Sequence, residues 1–128
     1  MSLRSPLSRV LGSGSAKEGT EHWWMQRVTA IALALLVPWF LWSLLQLDGY
    51  AHGDLESWAG QPTNAVMLLL VSIVLAWHSM LGVQVVLEDY IHGPALKVVA
   101  LILNKFAHVF LGVAAVLAVL SVALGGAP

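Results

Sequence analysis

Three long runs of apolar residues govern what this chain can fold into: Val28 to Leu47, Ala65 to Leu87 and Val98 to Leu124. Each is near or above the roughly 20 residues that an α-helix needs to cross about 30 Å of hydrocarbon. Inside a bilayer every backbone N–H and C=O must find its partner within the protein, and a helix satisfies them internally. The expected fold is therefore all-α: an integral membrane protein with three transmembrane helices, spans 28–47, 65–87 and 98–124, behind an N-terminal tail over residues 1–27. Only 10% of the residues are charged, whereas a soluble domain carries about a quarter. No separate soluble domain is expected.

What the chain lacks narrows its chemistry. It has no cysteine, which excludes disulfides and any thiolate-held iron–sulfur cluster within it. Electrons reaching this chain must come from a partner. The net charge is −1 and there is no basic block, so nucleic acid is not an expected partner.

Basic residues set the expected orientation. Arg4, Arg9, Lys17 and Arg27 precede the first span, the loop from Asp48 to Pro62 has no Lys or Arg, and Lys97 lies in the second loop. The N-terminus and the Asp89–Lys97 loop are thus expected on the cytoplasmic side of a bacterial inner membrane. Arg4, Arg9 and Lys17 also have a weak transit-peptide flavour, which would suit a mitochondrial inner membrane. The positive-inside rule explains them equally well and is preferred. No apolar core follows Arg4, which argues against a secretory leader. Trp23, Trp24, Tyr50, Trp58 and Tyr90 fall near the expected membrane boundaries, where aromatic rings serve as anchors. Pro38 removes a backbone donor inside span one and is expected to kink it.

The polar exceptions carry the functional information. His78 lies at mid-depth in span two, and Asp89-Tyr90 closes the same segment. At about 100° per residue, Gly82 is about 40° from His78 and Asp89 about 20°, so the three share a face; Tyr90 projects roughly 120° away. An ionisable group inside a bilayer is costly, so ligation or proton relay is its default reading. Haem is the expected metal group, because axial imidazole is a standard haem-iron ligand and the span offers no thiolates or clustered carboxylates. Gly82, one turn from His78, would let a flat macrocycle approach the backbone, although close helix packing explains it too.

The segment from His78 to Asp89-Tyr90 resembles the histidine-to-Asp-Tyr signature of the small hydrophobic membrane anchor of succinate dehydrogenase, respiratory complex II. The Gly12 to Gly19 stretch, followed by Arg27-Val28-Thr29-Ala30, is similar to that family's Gly-rich tail and Arg-x-Thr-Ala entry to span one. The resemblance implies that His78 gives haem b one axial ligand and that a companion cytochrome b anchor gives the other. It implies that Tyr90 hydrogen-bonds ubiquinone and that Asp89 lines or shapes that pocket. Arg27 corresponds to a basic residue near the haem propionates or the quinone pocket, and His22 to a propionate-side histidine whose spacing is off by one. The implied partners also include an iron–sulfur subunit and an FAD-bearing flavoprotein, feeding electrons from the tricarboxylic acid cycle into electron transport.

Physical chemistry is compatible with these roles. Two axial imidazoles saturate haem iron and suit electron transfer. A phenol donor stabilises the charge a quinone carbonyl gains on reduction. A guanidinium matches carboxylates through two parallel hydrogen bonds, although a snorkelling arginine would occupy the position of Arg27 equally well.

Span three adds Asn104, Lys105 and His108. Lys105 is read as snorkelling to the inner surface. His108 lies roughly 15 Å deep, level with His78 at roughly 14 Å. A ligand pair within one chain is conceivable, but His108 is expected to pack or hydrogen-bond, because the family builds its haem site across two subunits. His52 and His92 fall in loops. The expected function is the membrane anchor of succinate:ubiquinone oxidoreductase, an enzyme subunit that catalyses nothing alone. The alternatives are the anchor of a fumarate reductase or another haem-b quinone complex, or a small structural or proton-relay membrane protein.

Overall fold

The computed structural model describes residues 17–125. Arg4, Arg9, the Gly12 to Ala16 part of the N-terminal motif and the last residues, 126–128, lie outside the described residues. Four helices make up the described chain: α1 (Lys17–Leu45), α2 (His52–Ala59), α3 (Pro62–Tyr90) and α4 (Pro94–Ala123). Among them α1 from Gly19, α3 and α4 are long and apolar enough to cross a membrane, with mean hydropathies of 2.2, 2.2 and 2.4.

The helices outrun the apolar spans that define them. α1 starts at Lys17, so the stretch 17–27, expected as tail, is already helical. Hydropathy marks only the segment that sits in hydrocarbon, whereas backbone hydrogen bonding continues into the flanking polar residues. α1 passes through Pro38 without interruption. α3 and α4 each begin with proline in the first turn, where the missing N–H has no helical partner to lose. Gly93 separates them, its carbonyl accepting the Lys97 N–H at 2.8 Å. Gly125 ends α4 at φ +70°, a left-handed conformation that favours a residue without Cβ.

α3 stands between α1 and α4 and packs its backbone closely against each. Contacts run antiparallel across the α3–α4 seam: Ala76 meets Gly112, Ser79 meets His108 and Met80 meets Asn104. A Cβ on Gly112 would lie 3.3 Å from the Ala76 Cβ, so small residues set the closeness of this crossing. The N-terminal end of α1, the C-terminal end of α3 and the start of α4 consequently share one end of the molecule. An open row of three helices encloses little: among the described residues the buried apolar side chains are Leu36, Ala65 and Leu81. Burial within the chain reaches only 6%, 6% and 0% of the three apolar windows. Surfaces this apolar must be covered by lipid or by other membrane helices.

The segment between spans one and two, expected as plain loop, contains α2. Asp54 accepts the Ala51 backbone N–H at 3.1 Å and closes its first turn. Trp58 then fastens it to α1, stacking on Trp39 at 6.5 Å and meeting Phe40 at 6.1 Å between ring centroids. Asn64 donates to the Trp58 carbonyl at 2.9 Å and ties α2 to the start of α3.

Candidate functional site

His78 lies near the middle of α3 and turns toward α1 rather than toward α4. Its Nδ1 is 2.9 Å from the Thr29 hydroxyl, and its Nε2 is 3.4 Å from the Gln26 side-chain nitrogen. Thr29 is only 7% exposed. Its hydroxyl also lies 2.8 Å from the Met25 carbonyl and 3.2 Å from that of Gln26. The α1 side of this site follows from helix geometry. His22, Gln26 and Thr29 stand four and three residues apart, which puts them on one stripe. That polar stripe within an apolar helix is what faces α3.

Gly82 belongs to the same face. A Cβ built there would meet only the Gln26 side-chain nitrogen, at 3.6 Å. The same glutamine therefore touches both His78 and the bare backbone one turn below it. Two polar atoms on this stripe, Gln26 Oε1 and His22 Nε2, are buried without a hydrogen-bond partner. A buried acceptor and ring nitrogen without partners are expensive in a protein interior. They mark a place where a further polar group belongs. An imidazole beside a bare glycine backbone is a donor set that suits haem, and His22 Nε2 could donate to one of its carboxylates, whereas the Gln26 Oε1 acceptor calls for a hydrogen-bond donor. Among the described residues no group of three or more His, Cys, Asp or Glu could hold a bare metal ion. A haem asks for only one imidazole from this chain.

Arg27, adjacent to Gln26, is exposed at the level of this site, its guanidinium 4.9 Å from the centroid of the Trp23 ring. Trp23 stacks in turn on Trp24 at 6.0 Å, so these tryptophans are part of α1. Asp89 and Tyr90 stand at the C-terminal end of α3, about 18 Å along the helix from His78. Both are exposed, Tyr90 by 78%. The Tyr90 backbone carbonyl accepts a hydrogen bond from His92 Nδ1 at 3.1 Å. Lys97 donates to the Glu88 carbonyl at 2.7 Å and closes the α3–α4 turn. The structure thus gathers His78, Gln26, Thr29 and Gly82 in one place, sets Arg27 on its flank, and leaves Asp89 and Tyr90 at the end of the bundle.

His108 turns the other way, into the α3–α4 seam. Its Nδ1 lies 2.9 Å from the Asn104 carbonyl and its Nε2 3.1 Å from the Ser79 hydroxyl. Both ring nitrogens are engaged. Lys105 is exposed. Sequence reasoning does not mark Thr29 and Gln26 as neighbours of His78. The available signal is the stripe of His22, Gln26 and Thr29 at the entry to span one.

A family model described as the succinate dehydrogenase/fumarate reductase transmembrane subunit matches residues 1–124. The succinate dehydrogenase hydrophobic membrane anchor subunit of Rickettsia bellii is 36% identical over 118 residues, covering 91% of this chain and 94% of that one. The protein of the same description from Paracoccus denitrificans is 33% identical over 93 residues, 73% of this chain and 72% of its own. No solved structure matches the chain significantly.

Proposed function

This chain belongs to the succinate dehydrogenase/fumarate reductase transmembrane subunit family, and from that premise we propose that it shares haem b and a ubiquinone-reduction site with a companion anchor. Membership makes it a multi-pass membrane anchor, a part of an enzyme complex with flavoprotein and iron–sulfur partners rather than a catalyst by itself. The finer reading is that the companion is the cytochrome b anchor and that the N-terminus faces the cytoplasm of a bacterium. On that side the ends of α1 and α3 and the start of α4 dock the soluble partners.

The observation that carries this reading is a half-buried imidazole, His78, in the middle of an apolar helix, beside a bare glycine backbone and two unsatisfied polar atoms. His78 would hold the haem iron through its Nε2, with the Gln26 amide moving aside. Arg27 and His22 would receive the carboxylate edge, the first through paired N–H donors and the second through its unpartnered Nε2. Bound there, haem b would supply a one-electron carrier. At the end of α3 the Tyr90 phenol donates a hydrogen bond to a quinone carbonyl, and Asp89 shapes that pocket. The bond strengthens as the carbonyl gains negative charge, which favours the reduced forms.

A reduced-minus-oxidised spectrum of the purified complex tests the assignment. A b-type signal present in the wild type, lost in His78→Ala and retained in His108→Ala is the expected result. A signal that survives His78→Ala, or is absent from the wild type, overturns it.

A further inference from the structure

We propose that Thr29 is a positioning residue that fixes which nitrogen of His78 is free to bind a metal and how strongly that nitrogen donates; the inference rests on the haem-ligand reading above. A threonine hydroxyl has one hydrogen and two acceptor lone pairs. The nearest acceptor for that hydrogen is the Met25 carbonyl at 2.8 Å, one turn back on the same helix. With its hydrogen committed there, the Thr29 oxygen faces His78 Nδ1 at 2.9 Å as an acceptor. Nδ1 therefore carries the imidazole proton. The opposite side of the ring gives the same answer independently. The Gln26 side-chain nitrogen, 3.4 Å away, suits Nε2 as an acceptor, and this long contact would give way when a metal takes that lone pair.

The hydrogen bonds thus run in one direction, from Gln26 N–H to His78 Nε2, from His78 Nδ1–H to Thr29 Oγ1, and from Thr29 O–H to the Met25 carbonyl. This is the one neutral tautomer whose Nε2 lone pair can coordinate iron. Thr29 is 7% exposed, so water does not compete for the bond. A histidine ligand whose second N–H is held by an acceptor keeps its ring orientation and becomes a stronger base toward the metal. Stronger donation favours the ferric state and lowers the potential. α1 thereby tunes a ligand that α3 carries.

The test uses the complete purified complex with Thr29→Val, which keeps the shape and removes the hydroxyl, and Thr29→Ser, which keeps the hydroxyl and removes the methyl. The readouts are haem content, the haem midpoint potential by optical redox titration, and the low-spin electron paramagnetic resonance signal. Thr29→Val should shift the midpoint to a more positive value and move the low-spin signal, while Thr29→Ser stays at the wild-type position. If Thr29→Val loses haem and Thr29→Ser retains it, the hydroxyl is again the required group. An unchanged potential and signal in Thr29→Val overturns the inference. So does an equal shift or equal haem loss in both variants, which would assign the effect to the methyl. A haem retained in His78→Ala, measured alongside, would sink the ligand reading itself, an outcome distinct from a silent Thr29→Val.

Discussion

His108 on α4 is joined to Ser79 on α3 by a 3.1 Å hydrogen bond, next to the residue that faces α1. Its other ring nitrogen donates to the Asn104 carbonyl at 2.9 Å, and the Asn104 amide reaches the Met80 carbonyl at 3.0 Å. Three polar groups in an apolar seam thus satisfy one another and fix the register of α4 on α3, leaving only Asn104 Oδ1 without a partner. Interhelical hydrogen bonds in membrane proteins contribute about 0.6 kcal/mol on average and up to about 1.7 kcal/mol. His108→Leu and Asn104→Leu should therefore each destabilise the complex by about 1 kcal/mol. The expected signature is a lower thermal inactivation temperature in detergent with an unchanged haem-to-protein ratio. Loss of haem in either variant at unchanged thermal stability would contradict a purely structural role.

Gly82 separates the two explanations a glycine beside His78 invites. If it served only to let α1 approach α3, an added side chain would meet α1 backbone at short range. The nearest atom to a built Cβ is instead the tip of a flexible glutamine side chain at 3.6 Å, an ordinary van der Waals contact. Gly82→Ala should therefore assemble normally, since the added methyl displaces nothing. Gly82→Phe would fill the space beside Nε2 with a rigid ring. The complex should still assemble and retain succinate oxidation with a soluble acceptor, but with its haem content reduced on the order of tenfold. Pyridine haemochrome assay of the two variants checks this, and equal haem in both contradicts it.

The large apolar runs determine the architecture because the bilayer leaves so few choices. A span of about 20 apolar residues can hardly do anything but form a helix across it. The ends are less legible, since hydropathy reports the solvent around a residue and not its backbone hydrogen bonds. Hence α1 reaches back to Lys17. α2 escapes sequence reasoning because its eight residues, His52 to Ala59, include Gly53 and four polar or acidic side chains that give no apolar period. What holds it is tertiary: Trp58 against Trp39 and Phe40. At the candidate site, the shared face of His78 and Gly82 can be read from spacing, because both residues lie on one element. Their partners Gln26 and Thr29 cannot, because the rotation of α1 about its axis is set by packing between helices. Beyond the short polar stripe of His22, Gln26 and Thr29, the apolar residues around α1 carry almost no signal for that rotation.

Tyr90 lies at the end of α3, exposed by 78% in this chain, about 18 Å along the helix from His78. A substitution there should therefore separate quinone chemistry from haem binding. Tyr90→Phe removes one hydroxyl and keeps the ring. Losing a single hydrogen bond to a group that gains charge during reaction costs about 1.5–3 kcal/mol. Ubiquinone reduction should fall by roughly tenfold to a hundredfold, taking each 1.4 kcal/mol as a factor of about ten. Succinate oxidation measured with a soluble artificial acceptor should stay within about twofold of wild type, since electrons leaving from the soluble partners bypass this end of α3. The b-type haem spectrum should be unchanged. An equal loss of both activities would mean that Tyr90 holds the complex together and does not contact the acceptor. Unchanged ubiquinone reduction would remove the phenol from the pocket.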